Sequence, residues 1–269
     1  MNEHRGLDLL GNLLLIAAVW FGYSFVRTFT ADAFTSARHN AVDLLNFQAA
    51  IGLPSELTFQ RELLGQTGLI KGANVYYLTV HFPVTVFFLG WVWLRHRPRF
   101  TRIRNSLIAI TVVGMILHAL YPLAPPRMIP GFVDTAKVFG PNPYGLKVAD
   151  AANQIAAMPS LHVGWALVVA IGVLWICHSR WKWLIIAHPV LTGLVVVATA
   201  NHYWTDAIVA ILLVGIVWAV AVGISALRST EAEMTKLEYR HETDETEKDD
   251  DNRVISAATE SKEVVHQNH

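Results

Sequence analysis

His202 and Asp206 stand four residues apart, a spacing that on a helix brings both side chains onto one face within reach of each other. A carboxylate so placed holds one imidazole nitrogen, fixes the tautomer and stabilises the positive ring that forms when the other nitrogen attacks phosphorus. Asp206 also falls in a strongly apolar run, where an ionisable group is expensive and is usually there for a partner or a pathway. A second imidazole, His162, follows Pro159-Ser160, which reads as a helix start with Ser160 as N-cap. Free backbone N–H groups and the positive end of the helix dipole favour an anion there. His162 is then placed as a general acid for a leaving alkoxide while His202 attacks in line, and Arg127 is a candidate clamp on the equatorial phosphate oxygens. The chemistry requires both imidazoles, from separate segments, to face each other across an anion-sized gap.

The elements that must position them are membrane helices. Of the 269 residues, 53% are hydrophobic and only 16% charged, far from an ordinary soluble domain. A net charge of zero argues against a nucleic-acid partner, and the single Cys177 excludes an internal disulfide or a cysteine-built zinc site. Apolar runs of spanning length are predicted at Leu7–Val26, Asn74–Leu94, Ser106–Leu123, Ser160–Cys177, Trp183–Ala200 and Tyr203–Leu227. The fold class is therefore all-α, a polytopic bundle of six transmembrane helices. Two short amphipathic patterns in the first outer loop, Asn40–Ile51 and Ser55–Leu64, read as interfacial helices split by Gly52-Leu53-Pro54. Residues 1–228 form the membrane-embedded catalytic domain. Residues 229–269 are dominated by Glu, Asp, Lys and Thr and are predicted to be a disordered cytoplasmic tail.

Arg95, Arg97, Arg99, Arg102 and Arg104 crowd the connection between the second and third spans, which places it in the cytoplasm together with both termini. The Pro- and Gly-rich loop 124–158, the start of the Ser160 helix and the 200–203 junction then share the extracytoplasmic face.

Ala124-Pro125-Pro126-Arg127, Met158-Pro159-Ser160-Leu161-His162-Val163-Gly164-Trp165 and Asn201-His202-Tyr203-Trp204-Thr205-Asp206 resemble the motifs of the type-2 phosphatidic acid phosphatase superfamily. Within it they look most like the inositol phosphorylceramide synthase-like branch. The resemblance covers roughly Asn74 to Val220. It implies a lipid phosphatase or phosphotransferase with His202 as the phosphohistidine-forming nucleophile, Asp206 its orienting partner, His162 the acid, and Ser160 and Arg127 phosphate ligands. No metal or other cofactor is implied. The partners implied are a lipid phosphate substrate, membrane lipids and a polyol acceptor such as inositol.

Two departures stand out. Superfamily members carry a Ser-Arg pair a few residues before the nucleophile, where this chain has Val195-Val196, and the lysine-containing first motif is reduced to Arg127. Lys137 and Lys147 are the candidates for the second positive charge. Asn153 and Gln154 are candidates for hydrogen bonds to a polyol headgroup. His81, His118 and His188 read as packing residues. Hydrolysis and transfer share the first half-reaction, and the residues do not choose between them. A transporter or flippase using the His/Asp pair as a proton relay is the alternative class; it accounts for Asp206 but not for Pro159-Ser160-Leu161-His162. A haem protein with two axial histidines fits less well, because both histidines sit at helix starts suited to phosphate.

Overall fold

The computed structural model describes residues 10–12, 14–15, 21–22, 33–141 and 155–266, and within these the regular structure is helical. The first expected span, Leu7–Val26, lies largely outside the described residues. The helices are α1 (Phe34–Ala50), α2 (Glu56–Leu64), α3 (Thr67–Thr79), α4 (His81–Arg95), α5 (Arg97–Leu120), α6 (Thr135–Phe139), α7 (Leu161–Ile176), α8 (Ala187–Ala198) and α9 (Trp204–His266).

Local chemistry sets their limits. α1 ends where Gly52 takes φ +75, a conformation L side chains rarely adopt, followed by Pro54. Ser55 then caps α2, its side chain accepting from Thr58 N. α3 and α4 are almost one helix: Val80 N donates to Tyr76 O and Val84 N to Val80 O, both at 3.0 Å. Pro83 lies three residues past the junction and cannot donate to Thr79, the carbonyl four residues back, so the helix breaks at Val80. That break lies between Tyr77 and His81, and both rings pack against His162.

Among the described residues four segments are long and apolar enough to cross a membrane: 67–95, 97–120, 180–198 and 204–237. α7 is shorter, 16 residues or about 24 Å of helix. The expected spans thus shift at their ends. The second starts earlier and is broken at Val80, the third stops at Leu120, and the fifth opens with a 3-10 turn over Arg180–Ile186. The count of six does not emerge from the described residues. Phe87, Leu94, Leu120 and Leu184 are each more than two-thirds exposed, as side chains facing hydrocarbon would be.

The chain divides into two units, 1–218 and 219–269. In the first, α4, α5, α7 and the start of α9 share a core of Phe88, Val92, Ile103, Leu107, Ile110, Val168, Val169, Ile176 and Val214. α4 and α7 approach closely at Gly172, where an added Cβ would lie 2.4 Å from Phe88 Cζ. The second unit is the continuation of α9 to His266. The helix continues there, and beyond Gly223 the sequence contains no Gly or Pro and has Glu as its commonest residue.

α1 and α2 occur close to where the sequence places interfacial helices, but the faces they bury include Gln48, Glu56 and Gln60, each no more than 2% exposed. Those polar side chains bond to the loops and helix ends around the two histidines.

Candidate active site

α8 ends at Ala198, and the chain reverses through Ala200, which holds a positive φ of 54. The N–H groups of Asn201 and His202 both donate to Val196 O, closing the turn. α9 begins at Trp204, so His202 precedes the helix and Asp206 is its third residue. The expectation of two side chains on one helical face is thereby corrected in its geometry. Asp206 instead reaches back as a capping carboxylate: Oδ2 accepts Tyr203 N–H at 2.8 Å and His202 Nδ1–H at 3.2 Å. The i, i+4 spacing still delivers the pair, because a residue in the first turn folds back over the residues before it.

His202 Nδ1 also lies 2.8 Å from Ala157 O. Two acceptors at one nitrogen place the proton on Nδ1 and leave the lone pair on Nε2. The ring is 6% exposed, and burial, with the Arg127 charge adding to it, holds its pKa down to about 4. At neutral pH the ring is uncharged.

The segment bearing Ala157 is fixed by a short parallel bridge: Leu123 N donates to Ile155 O and Ala157 N to Leu123 O. Pro159 O accepts from His118 Nε2 at 3.2 Å, so His118, expected only to pack, tethers the approach to α7. Ser160 N then donates to Asp206 O at 3.1 Å, tying the two helix starts together. Ser160 is fully buried and its Oγ caps α7 through Val163 N, which leaves its hydroxyl proton for an anion.

His162 lies in the first turn of α7. Its ring centre is 5.9 Å from that of His202, with the planes at 59°. The two imidazoles, 40 positions apart in the chain, are thereby brought together as a tilted ring pair. His162 is stacked on Tyr77 at 4.5 Å and abuts His81 at 4.8 Å.

Arg127 sits in a 3-10 turn, Pro126–Met128, and is clasped to the loop bearing His202 twice. Its N–H donates to Ala200 O at 2.9 Å, and Nη1 donates to Asn201 Oδ1 at 2.8 Å. Asn201 is anchored in turn through Nδ2 to Thr199 Oγ1. Lys137 is not part of this arrangement: its Nζ pairs with Asp134 Oδ2 at 3.3 Å on α6, and its side chain is 65% exposed. Lys147, Asn153 and Gln154 lie outside the described residues.

The sequence offered no sign of the groups that hold the start of α9. Trp204 N donates to Glu56 Oε1 at 3.0 Å, and Thr205 donates through both N and Oγ1 to Gln48 Oε1. With Tyr203 N on Asp206, three successive backbone donors that a helix start leaves without partners are satisfied by buried side chains. Gln60 bridges Val133 and Ala198 O in the same way. Nothing local marks these residues; Glu56 after Ser55 looks like any acidic residue in a first turn.

An imidazole with a fixed tautomer, a second imidazole beside it, a tethered guanidinium and a buried helix start suit chemistry on a phosphate ester. Neither a curated protein nor a solved structure matches the chain. Members of the PAP2 superfamily are generally phosphatases or phosphotransferases acting on phosphate esters, and the region that matches the superfamily, residues 42–220, contains every residue of the arrangement just described. The chain belongs to the PAP2 superfamily.

Proposed function

We propose that this is a membrane lipid phosphatase or phosphotransferase that works through a phosphohistidine on His202. Nε2 attacks the phosphorus of a lipid phosphate or phosphodiester, the P–O bond to the leaving alkoxide breaks, and His162 gives that oxygen a proton. In the second half, neutral His162 takes a proton from water or from an acceptor hydroxyl, whose oxygen attacks phosphorus and releases Nε2. Protons and bonds then balance over the cycle. Arg127 and Ser160 hold the non-bridging oxygens, and the negative Asp206 offsets the charge on the phosphorylated ring.

The observation that carries this reading is the pair of acceptors at His202 Nδ1, which leaves Nε2 for phosphorus on a ring 5.9 Å from a second imidazole. Asp206 Oδ2 is engaged with His202 and Tyr203, which supports an orienting role over a proton relay. We place the site at the extracytoplasmic face of a six-span domain ending near residue 228, with both termini cytoplasmic, because Arg95–Arg104 mark the opposite side. Inositol, a polyol, is the acceptor to try first. Purified protein incubated with a lipid extract, with and without inositol, and read by mass spectrometry tests the reading. Loss of a lipid phosphate ester that is abolished by His202→Ala supports it. Unchanged turnover in His202→Ala overturns it.

A further inference from the structure

His202 has Asp206 to orient it, whereas the rings against His162, besides His202 itself, are Tyr77 and His81. His81 lies at the start of α4, just past the break that Pro83 imposes, and is 5% exposed. Its ring contacts are His162 at 4.8 Å, Trp165 at 5.9 Å and His188 at 6.4 Å between centres. Its Nδ1 is buried without a hydrogen-bond partner. As packing alone, imidazole is a poor choice at this position. A phenyl ring fills the same space and leaves no buried polar atom unsatisfied. The polar atom gains a purpose only if a donor reaches His81 at some stage of the reaction, and of the two imidazoles beside it His162 is the nearer, 4.8 Å between ring centres against 6.4 Å for His188.

We propose that His81 is a positioning residue for His162, its neutral imidazole accepting the second N–H of His162 while that ring carries the proton destined for the leaving alkoxide. The proposal rests on the acid role given to His162 above. It makes a distinction that packing does not, because help to a general acid matters only when the leaving oxygen needs a proton. An alkoxide needs it; p-nitrophenolate leaves without it.

The test compares wild type, His162→Ala, His81→Phe and His81→Asn on dioctanoyl phosphatidic acid and on p-nitrophenyl phosphate in detergent, with thermal unfolding recorded for each. His81→Phe is expected to lower kcat on the lipid about 10- to 100-fold, the usual effect of removing a hydrogen-bond partner behind a functional histidine. On p-nitrophenyl phosphate it loses little. His81→Asn, smaller but able to accept a hydrogen bond, should retain more lipid activity than His81→Phe, whereas a space-filling role reverses that order. Equal losses on both substrates, or a fully active His81→Phe, overturn the proposal; His81→Leu replaces His81→Phe, and His81→Gln replaces His81→Asn, where either does not fold. If wild type turns over the lipid and depends on His162 while His81→Phe matches wild type, this inference alone fails. If His162→Ala is unaffected, the acid role fails and this inference falls with it; if wild type turns over neither these substrates nor any lipid of the extract, the functional reading fails as well.

Discussion

Replacing Asp206 by Asn separates the two things a carboxylate can do for an imidazole, which are to fix its tautomer and to offset its charge. In serine protease triads the same change costs about 10⁴ in kcat because the ring adopts the wrong tautomer. Here Ala157 O remains 2.8 Å from His202 Nδ1 and keeps the proton there. The tautomer term is therefore mostly preserved. What goes is the group able to carry the countercharge, fully buried and 3.2 Å from the ring that is to become cationic. A charge-assisted hydrogen bond is worth about 1.5–3 kcal/mol, and the buried site places the loss at or slightly above the upper end. That corresponds to about a 10²- to 10³-fold fall in the rate of phosphoenzyme formation. An amide oxygen can still accept from Tyr203 N, so the melting temperature of Asp206→Asn should stay near wild type. Asp206→Ala also strips that cap and should cost a further 1 kcal/mol or so of stability. Rapid-quench single-turnover kinetics with a labelled lipid phosphate measure the first quantity, and calorimetry in detergent the second. A loss of 10⁴ or more in Asp206→Asn means that Ala157 does not hold the tautomer. A loss under about threefold means that the charge does not matter, and either result refutes the reasoning.

The remaining expectations follow from the same contacts. Because burial holds His202 near 4 rather than its ordinary 6.5, the folded protein takes up a proton there less readily than the unfolded chain. This group's contribution to stability is full above about pH 6.5 and is lost as pH falls toward 4. A pH series of unfolding midpoints for wild type and His202→Gln should therefore converge as the pH drops. Glu56→Ala leaves Trp204 N–H buried and unpaired, costing about 1–3 kcal/mol, while Glu56→Gln keeps an acceptor and should retain most of that stability; thermal unfolding distinguishes them. Gly172→Ala forces a methyl group against Phe88 and Ile103 and should destabilise by about 1–3 kcal/mol through overpacking, with lipid turnover at low temperature little changed.

The helices and the chemistry-bearing residues were legible for different reasons. Apolar run length is a property of consecutive residues, so long helices could be located from it, although their ends moved where Pro83 breaks a run or where Tyr121 leaves the helix. Pro159-Ser160 signals a helix start directly, and α7 begins at Leu161. The spacing of His202 and Asp206 brings the pair together, but it is the same for a helix face and for a capping carboxylate, so the geometry was misread while the contact was not. Glu56, Gln48 and Asn201 escaped because their partners are long-range or backbone groups, which no local pattern encodes. His118 and His81 read as packing residues for the same reason: the approach to α7 and His162 reach them only through tertiary structure. In the tail, composition removes the long apolar run but no Gly or Pro stops the helix, so α9 continues to His266.

The most direct measurement is to quench wild-type protein during turnover of a ³²P-labelled lipid phosphate and map the label by mass spectrometry under alkaline conditions, which preserve phosphohistidine. The label should be acid-labile, confined to the peptide containing His202, and absent from His202→Ala. Label on another residue, or an unlabelled protein whose His202→Ala variant still turns over the lipid, would contradict the assignment of His202 as the nucleophile.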